Sequence, residues 1–230
     1  SYQKTLSYLV TDVDRTNLAL NRADLPGTQE TYSQELNLVS PDGGRLKWFL
    51  GLFYYNDDST IATIVNRSPI FNSPRLKTEA VAPFGEVNLS FGDITLIGGL
   101  RYNYERKDYS LTRGPLIETR RKTFENVTPR LGVRFAVTPA SNIYATWSRG
   151  FKSGLFDGIL SNGALVVNAV NPEKVSAFEA GYKYGRGRTS LSVAAFHYDY
   201  SNIQFQAFNP HAGGLPQVFN AAAAEIYGAA

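Results

Sequence analysis

Apolar and polar residues alternate one for one along much of this chain, and that pattern restricts the backbone more than any other feature. Successive side chains of a β-strand point to opposite faces, so an every-other-residue pattern marks a strand whose two sides meet different surroundings. The run ITLIGGLRYNYER puts Ile94, Leu96, Gly98, Leu100, Tyr102 and Tyr104 on one face. Thr95, Gly99, Arg101, Asn103 and Glu105 fall on the other, with Ile97 the exception. The run VTPRLGVRFAV sets Val127, Leu131, Val133, Phe135 and Val137 against Thr128, Arg130, Gly132, Arg134 and Ala136. Leu46, Trp48, Leu50, Leu52 and Tyr54 share a face, as do Val87, Leu89 and Phe91 opposite Glu86, Asn88 and Ser90. In TSLSVAAFHYDY the pattern weakens, with Leu191 and Val193 opposite Phe196, Tyr198 and Tyr200.

The connections alternate as well. Short turns rich in Gly, Pro, Asp and Asn fall at Pro41 to Gly44, Gly92-Asp93, Thr138 to Asn142 and Gly185 to Gly187, roughly every 48 residues. Between them lie longer polar stretches, Asp57 to Leu76, Lys107 to Lys122, Lys152 to Lys174 and Gln204 to Gln217, which read as loops. Compact water-soluble domains seldom carry so many long loops, whereas membrane barrels pair short turns on one rim with long loops on the other.

Composition agrees. The chain has 14 Tyr, 14 Phe and 2 Trp but no long apolar run, which argues against a membrane-crossing helix and leaves a membrane barrel open. Aromatics gather toward the long-loop ends of strands, at Tyr54, Tyr55, Tyr102, Tyr104, Trp147, Phe151, Tyr198 and Tyr200, as an interfacial girdle would. Trp48, Phe91, Phe135 and Tyr184 suggest a second girdle near the short turns. The expected fold is all-β, an antiparallel transmembrane barrel contributing about ten strands from near Lys4 to near Tyr227. Spanning strands must close into a ring, because a bilayer offers no water to an open edge. The interrupted pattern before Ala229-Ala230 therefore predicts that this chain is one part of a larger barrel.

Several segments resemble the barrel region of TonB-dependent receptors. They are YSQELNLVSPDGGRLKWFLGLFYYNDD, FGEVNLSFGDITLIGGLRYNYERK, NIYATWSRGFKSGLFD, NPEKVSAFEAGYKY, LSVAAFHYDYSNIQ and VFNAAAAEIYGA, in the family's order. The resemblance implies an internal portion, residues 1–230, of a roughly 22-stranded plugged barrel in the bacterial outer membrane, without the family's N-terminal plug or closing strands. It implies outer-membrane lipid as surroundings and the TonB-ExbB-ExbD system as partner, acting through that plug. Tyr144, Ser148, Gly150, Lys152 and Gly154 match one family strand, and Pro172, Glu173, Glu179, Gly181 and Lys183 the next. The role carried over to them is architectural, with Gly allowing close approach and Glu and Lys pairing across the wall or with the plug.

Catalytic chemistry is poorly represented. The chain has no Cys and two His, and it lacks HExxH, GxSxG and Walker patterns. A scattered net charge of +3 gives nucleic-acid binding no footing. Asp12 with Asp14, or Asp57 with Asp58, offer calcium-type oxygens, yet such loop pairs are ordinarily solvated, so no metal or cofactor is expected. Ligand contact is expected from the polar face and the loops, at Arg101, Glu105, Arg130, Arg134, Phe156, Phe205 and Phe208, with Phe71 as a further loop aromatic.

The leading reading is energy-coupled import of a scarce solute, a ferric siderophore, a vitamin or a glycan. The runner-up is a passive or structural outer-membrane barrel. A third, a soluble carbohydrate-binding β-sandwich, requires the apolar face to be packed inside a core.

Overall fold

The computed structural model describes residues 1–12, 22–65, 72–161, 164–209 and 215–230. Its strands are β1 (Tyr2–Asp12), β2 (Arg22–Val39), β3 (Leu46–Ile61), β4 (Ile64–Val65), β5 (Ser73–Phe91), β6 (Ile94–Arg113), β7 (Leu116–Thr138) and β8 (Ser141–Lys152). They continue with β9 (Leu155–Ser161), β10 (Ala164–Val170), β11 (Glu173–Arg186), β12 (Thr189–Ser201), β13 (Gln204–Asn209), β14 (Leu215–Asn220) and β15 (Ala223–Ala229). Ten form one antiparallel sheet in the order β1-β2-β3-β5-β6-β7-β8-β11-β12-β15, with β4 added to β2. β9 pairs with β10 and β13 with β14 as separate hairpins. The expected ten strands are present, and no helix occurs among the described residues.

Register carries the alternation across the sheet. Leu46, Leu89, Leu96, Val133, Ala145, Ala180, Ala195 and Ala229 stand opposite one another in a single row that crosses eight strands without a polar residue. On the other face, Glu86, Gly99, Arg130 and Ser148 form the corresponding row. No described residue covers the apolar face: Leu36 is 61% exposed, Leu100 and Leu131 56%, and Leu191 53%. A sandwich would bury those residues against a second sheet, so the soluble reading is overturned. Ile97, out of phase in the sequence, sits on the polar face and fills the space above Gly132, where an added Cβ would lie 3.4 Å from its own.

The short turns lie where expected, tightened to two residues at Gly92-Asp93, Pro139-Ala140 and Gly187-Arg188. Gly92 and Gly187 adopt φ of 58° and 60°, a left-handed conformation that other residues adopt at a cost. The long stretches differ from expectation. Lys107 to Lys122 continues the β6–β7 ladder to a turn at Gly114, and β3 and β5 pair as far as Thr60 and Arg75. The other two stretches form the β9–β10 and β13–β14 hairpins. These ribbons lie beyond the apolar band, where no lipid borders either face, which removes the alternation that revealed the rest.

The upper girdle is divided. Tyr54, Tyr102, Tyr104, Trp147 and Phe151 are on the outward face, while Tyr55, Tyr198 and Tyr200 are on the polar one. Trp48, Phe91, Phe135 and Tyr184 all face outward. The substitution Leu131→Arg places a charge near the middle of the apolar band and should cost the full-length receptor about 2–4 kcal/mol in bilayer folding. Denaturant titration in lipid vesicles measures this, and an unchanged midpoint would contradict the outward assignment.

Candidate functional site

Above the apolar band the β9–β10 hairpin folds inward over the polar face of β6 and β7. Leu111 and Phe124 on the wall and Val167 and Val170 on the hairpin are buried together, 2% to 7% exposed, and make up most of the buried apolar residues among those described. The Phe156 ring stacks on Tyr109 at 5.6 Å. The backbone at Gly154 lies so close to the wall that a Cβ there would be 2.2 Å from the Phe124 ring. Two polar contacts fix the elbow between β8 and β9: Lys107 Nζ donates to the Gly154 carbonyl at 2.8 Å, and the Ser153 hydroxyl donates to Glu105. Lys107 and Glu105 pair at 2.9 Å with side chains only 12% and 18% exposed.

The β13–β14 hairpin joins this cover. Val218 N–H donates to Asp157 at 3.2 Å, and Asn171 and Asn220 exchange two hydrogen bonds. Gln204 Nε2 reaches the carbonyls of Ser153 and Asn171. Burial raises the Asp157 carboxyl above its ordinary range, opposed by the Val218 N–H. Burial pushes the Tyr109 phenol up to about 12, with Asp157 adding to the effect, so the phenol stays protonated.

Beneath the cover runs a polar wall. The Arg101 guanidinium lies 5.5 Å from the Phe53 ring centre and 5.1 Å from that of Phe84, and its Nε donates to Asn103. Both rings hold it by cation–π attraction. Arg130 pairs with Glu86 at 3.3 Å, and Arg134 reaches the Thr95 hydroxyl at 3.4 Å. Arg101, Arg130 and Arg134 therefore share one strip of wall, with Glu105 and Phe156 at its upper end. Phe205 lies apart, 43% exposed against Phe219, and the Phe208 side chain and Phe71 fall outside the described residues.

A family profile described as TonB dependent receptor-like, beta-barrel, matches residues 1–229. The chain belongs to the TonB-dependent receptor family. It is 26% identical over 183 residues to the metal-pseudopaline receptor CntO of Pseudomonas aeruginosa, a match covering 65% of this chain and 24% of that receptor. The ferric yersiniabactin uptake receptor FyuA of Yersinia pestis superposes with a TM-score of 0.80 at 17% identity, over 99% of this chain and 35% of FyuA. The unliganded ferric citrate transporter FecA gives 0.76 at 16% identity, over 99% and 34%. The chain thus spans about a quarter to a third of the length of these relatives. TonB-dependent receptors are outer-membrane barrels, so the apolar face meets outer-membrane lipid and the polar face the lumen.

The resemblance residues then take specific places. Tyr144 stands opposite Gly181, where a Cβ would lie 2.7 Å from the Tyr144 hydroxyl oxygen, so the ring lies flat across the glycine. That posture carries its hydroxyl to Glu179, 2.7 Å away, and puts Lys183 Nζ 4.9 Å from the ring centre. Glu179 and Lys183 thus meet through Tyr144. Ser148 pairs with Ala177, Gly150 with Val175 and Lys152 with Glu173, and Glu173 accepts the Gln204 N–H. Pro172 precedes β11, where its missing N–H costs the ladder nothing.

Asp57 and Asp58 cannot share an ion, since they point to opposite faces. Asp57 accepts from Gln29 and Thr31 inside, and Asp58 pairs with Arg75 and Lys77 outside. Asp14 and the Asp12 side chain lie outside the described residues. Lys107 and Tyr109 share the lumenal parity of Arg101 and are absent from the expected site, while Asp57, of the same parity, enters there only as a calcium-type oxygen.

Because folding raises the Asp157 pKa, the protonated form fits the mouth better. The stability that its buried carboxyl gives the folded mouth is complete below the ordinary value of 3.8 and is lost as pH climbs through the raised one. Asp157→Asn keeps an oxygen for Val218 N–H and removes the titration. Amide exchange across the paired strands of the β9–β10 hairpin, corrected for intrinsic rates, should speed up with rising pH in the wild type and stay level in the variant.

Proposed function

We propose that this chain forms the wall and part of the covered mouth of a receptor for energy-coupled uptake of a scarce metal chelate. One observation carries the reading: two hairpins fold inward, clasped by Asp157–Val218 and Asn171–Asn220, over a lumenal wall bearing Arg101, Arg130 and Arg134. Ferric siderophores and related chelates are bulky, oxygen-rich and commonly anionic, a chemistry suited to a guanidinium held between aromatic rings. The names of FyuA, FecA and CntO, a ferric yersiniabactin receptor, a ferric citrate transporter and a metal-pseudopaline receptor, favour a chelate over a vitamin or glycan. A passive pore has no use for a clasped mouth, and energy input through TonB supplies the reason to open one.

The test uses the full-length receptor in cells, with radiolabelled iron presented as citrate, catecholate and hydroxamate chelates. At least one should enter in a TonB-dependent manner, and Arg101→Ala should lower its uptake about tenfold, equivalent to about 1.4 kcal/mol, at equal surface abundance. Uptake that survives loss of TonB would favour the passive barrel.

A further inference from the structure

On the outward face of β12, Leu191, Val193 and Ala195 give way to His197 and Asp199, so polarity changes at the outer edge of the apolar band. β15 places Tyr227 opposite His197 and Glu225 opposite Asp199. One imidazole nitrogen and one oxygen from each of the two carboxylates lie within 4.8 Å of one another. Opposed like charges destabilise a strand pair, yet Asp199 and Glu225 face each other directly. Among the described residues the one ion-pair partner found for either is His197, 3.6 Å from Asp199 and too far for a hydrogen bond. Something positive is wanted between them.

We propose that His197, Asp199 and Glu225 form a site for a divalent transition-metal ion that clamps β12 to β15 at the outer membrane surface. The donor set selects this class: imidazole suits zinc, nickel and related ions, whereas calcium and magnesium take oxygen alone. Two hydrogen-bonded strands fix the three Cα positions, so little backbone order remains to be gained on binding. Ligands at roughly 2 Å in a tetrahedron stand about 3.3 Å apart, a contraction that small rotations of these exposed side chains provide. The fourth position opens toward the headgroups and takes water or a phosphate oxygen. The site faces away from the lumen and is independent of the imported solute.

The full-length receptor, stripped with chelator and held in detergent, is treated with diethylpyrocarbonate with and without Zn²⁺ alone, and His197 modification is followed by mass spectrometry. Zn²⁺ should slow that modification at least tenfold in the wild type and leave it unslowed in Asp199→Asn and Glu225→Gln. Zn²⁺ should also raise the Tm of the wild type and not that of His197→Ala. Equal labelling with and without Zn²⁺, or protection that survives either carboxylate substitution, would overturn the three-donor site.

Discussion

A bilayer supplies no hydrogen bonds, and every other property of this chain follows from that lack. Peptide groups in hydrocarbon must find their partners within the protein, which leaves a spanning chain either helices or a closed sheet. With alternation at every second residue, only the sheet puts all greasy side chains on one side. The row from Leu46 to Ala229 is the outcome, and its exposure is the mark of a surface solvated by lipid. What in a water-soluble protein would be an interior has been turned outward. The buried apolar residues that remain are few, and most lie where the mouth hairpins need their own small core.

The mouth obeys different rules because it stands in water. Above the apolar band a strand needs no lipid-facing side, so β6 and β7 continue as a polar ribbon and the hairpins fold inward upon it. Leu111, Phe124, Val167 and Val170 supply their hydrophobic contact, and a handful of hydrogen bonds through Asp157, Asn171, Gln204 and Asn220 supply the register. The joint therefore combines a small apolar contact with polar bonds that set its alignment. In the wall below, Arg101 is held between two rings and Tyr144 is laid across Gly181.

Strand number, face assignment and turn positions were legible because each depends on neighbours one or two residues away. The ribbons above the membrane carry no two-residue period, because no lipid borders either face, and so the sequence shows them as loops. Tyr55, Tyr198 and Tyr200 cluster with the outward girdle along the chain, although their parity, shared with Phe53 and Phe196, places them inside. The site was legible only in part. Arg101 was recognisable as lumenal from Leu100 and Tyr102 beside it, but Phe53 and Phe84 reach it from other strands, and no local signal announces that sandwich. The contacts of Ser153 with Glu105 and of Gly154 with Lys107 likewise join segments far apart in sequence, so they emerge only once the hairpin folds.

The assignment of faces is tested most directly by depth-resolved fluorescence quenching in the full-length receptor reconstituted with lipids brominated on their acyl chains. Single reporter groups attached at positions 100, 131 and 193 should be strongly quenched, while reporters at 99, 130 and 192 on the same strands should respond to aqueous iodide instead. Quenching by brominated chains at both sets of positions, or at neither, would contradict a barrel wall with lipid on one side and water on the other.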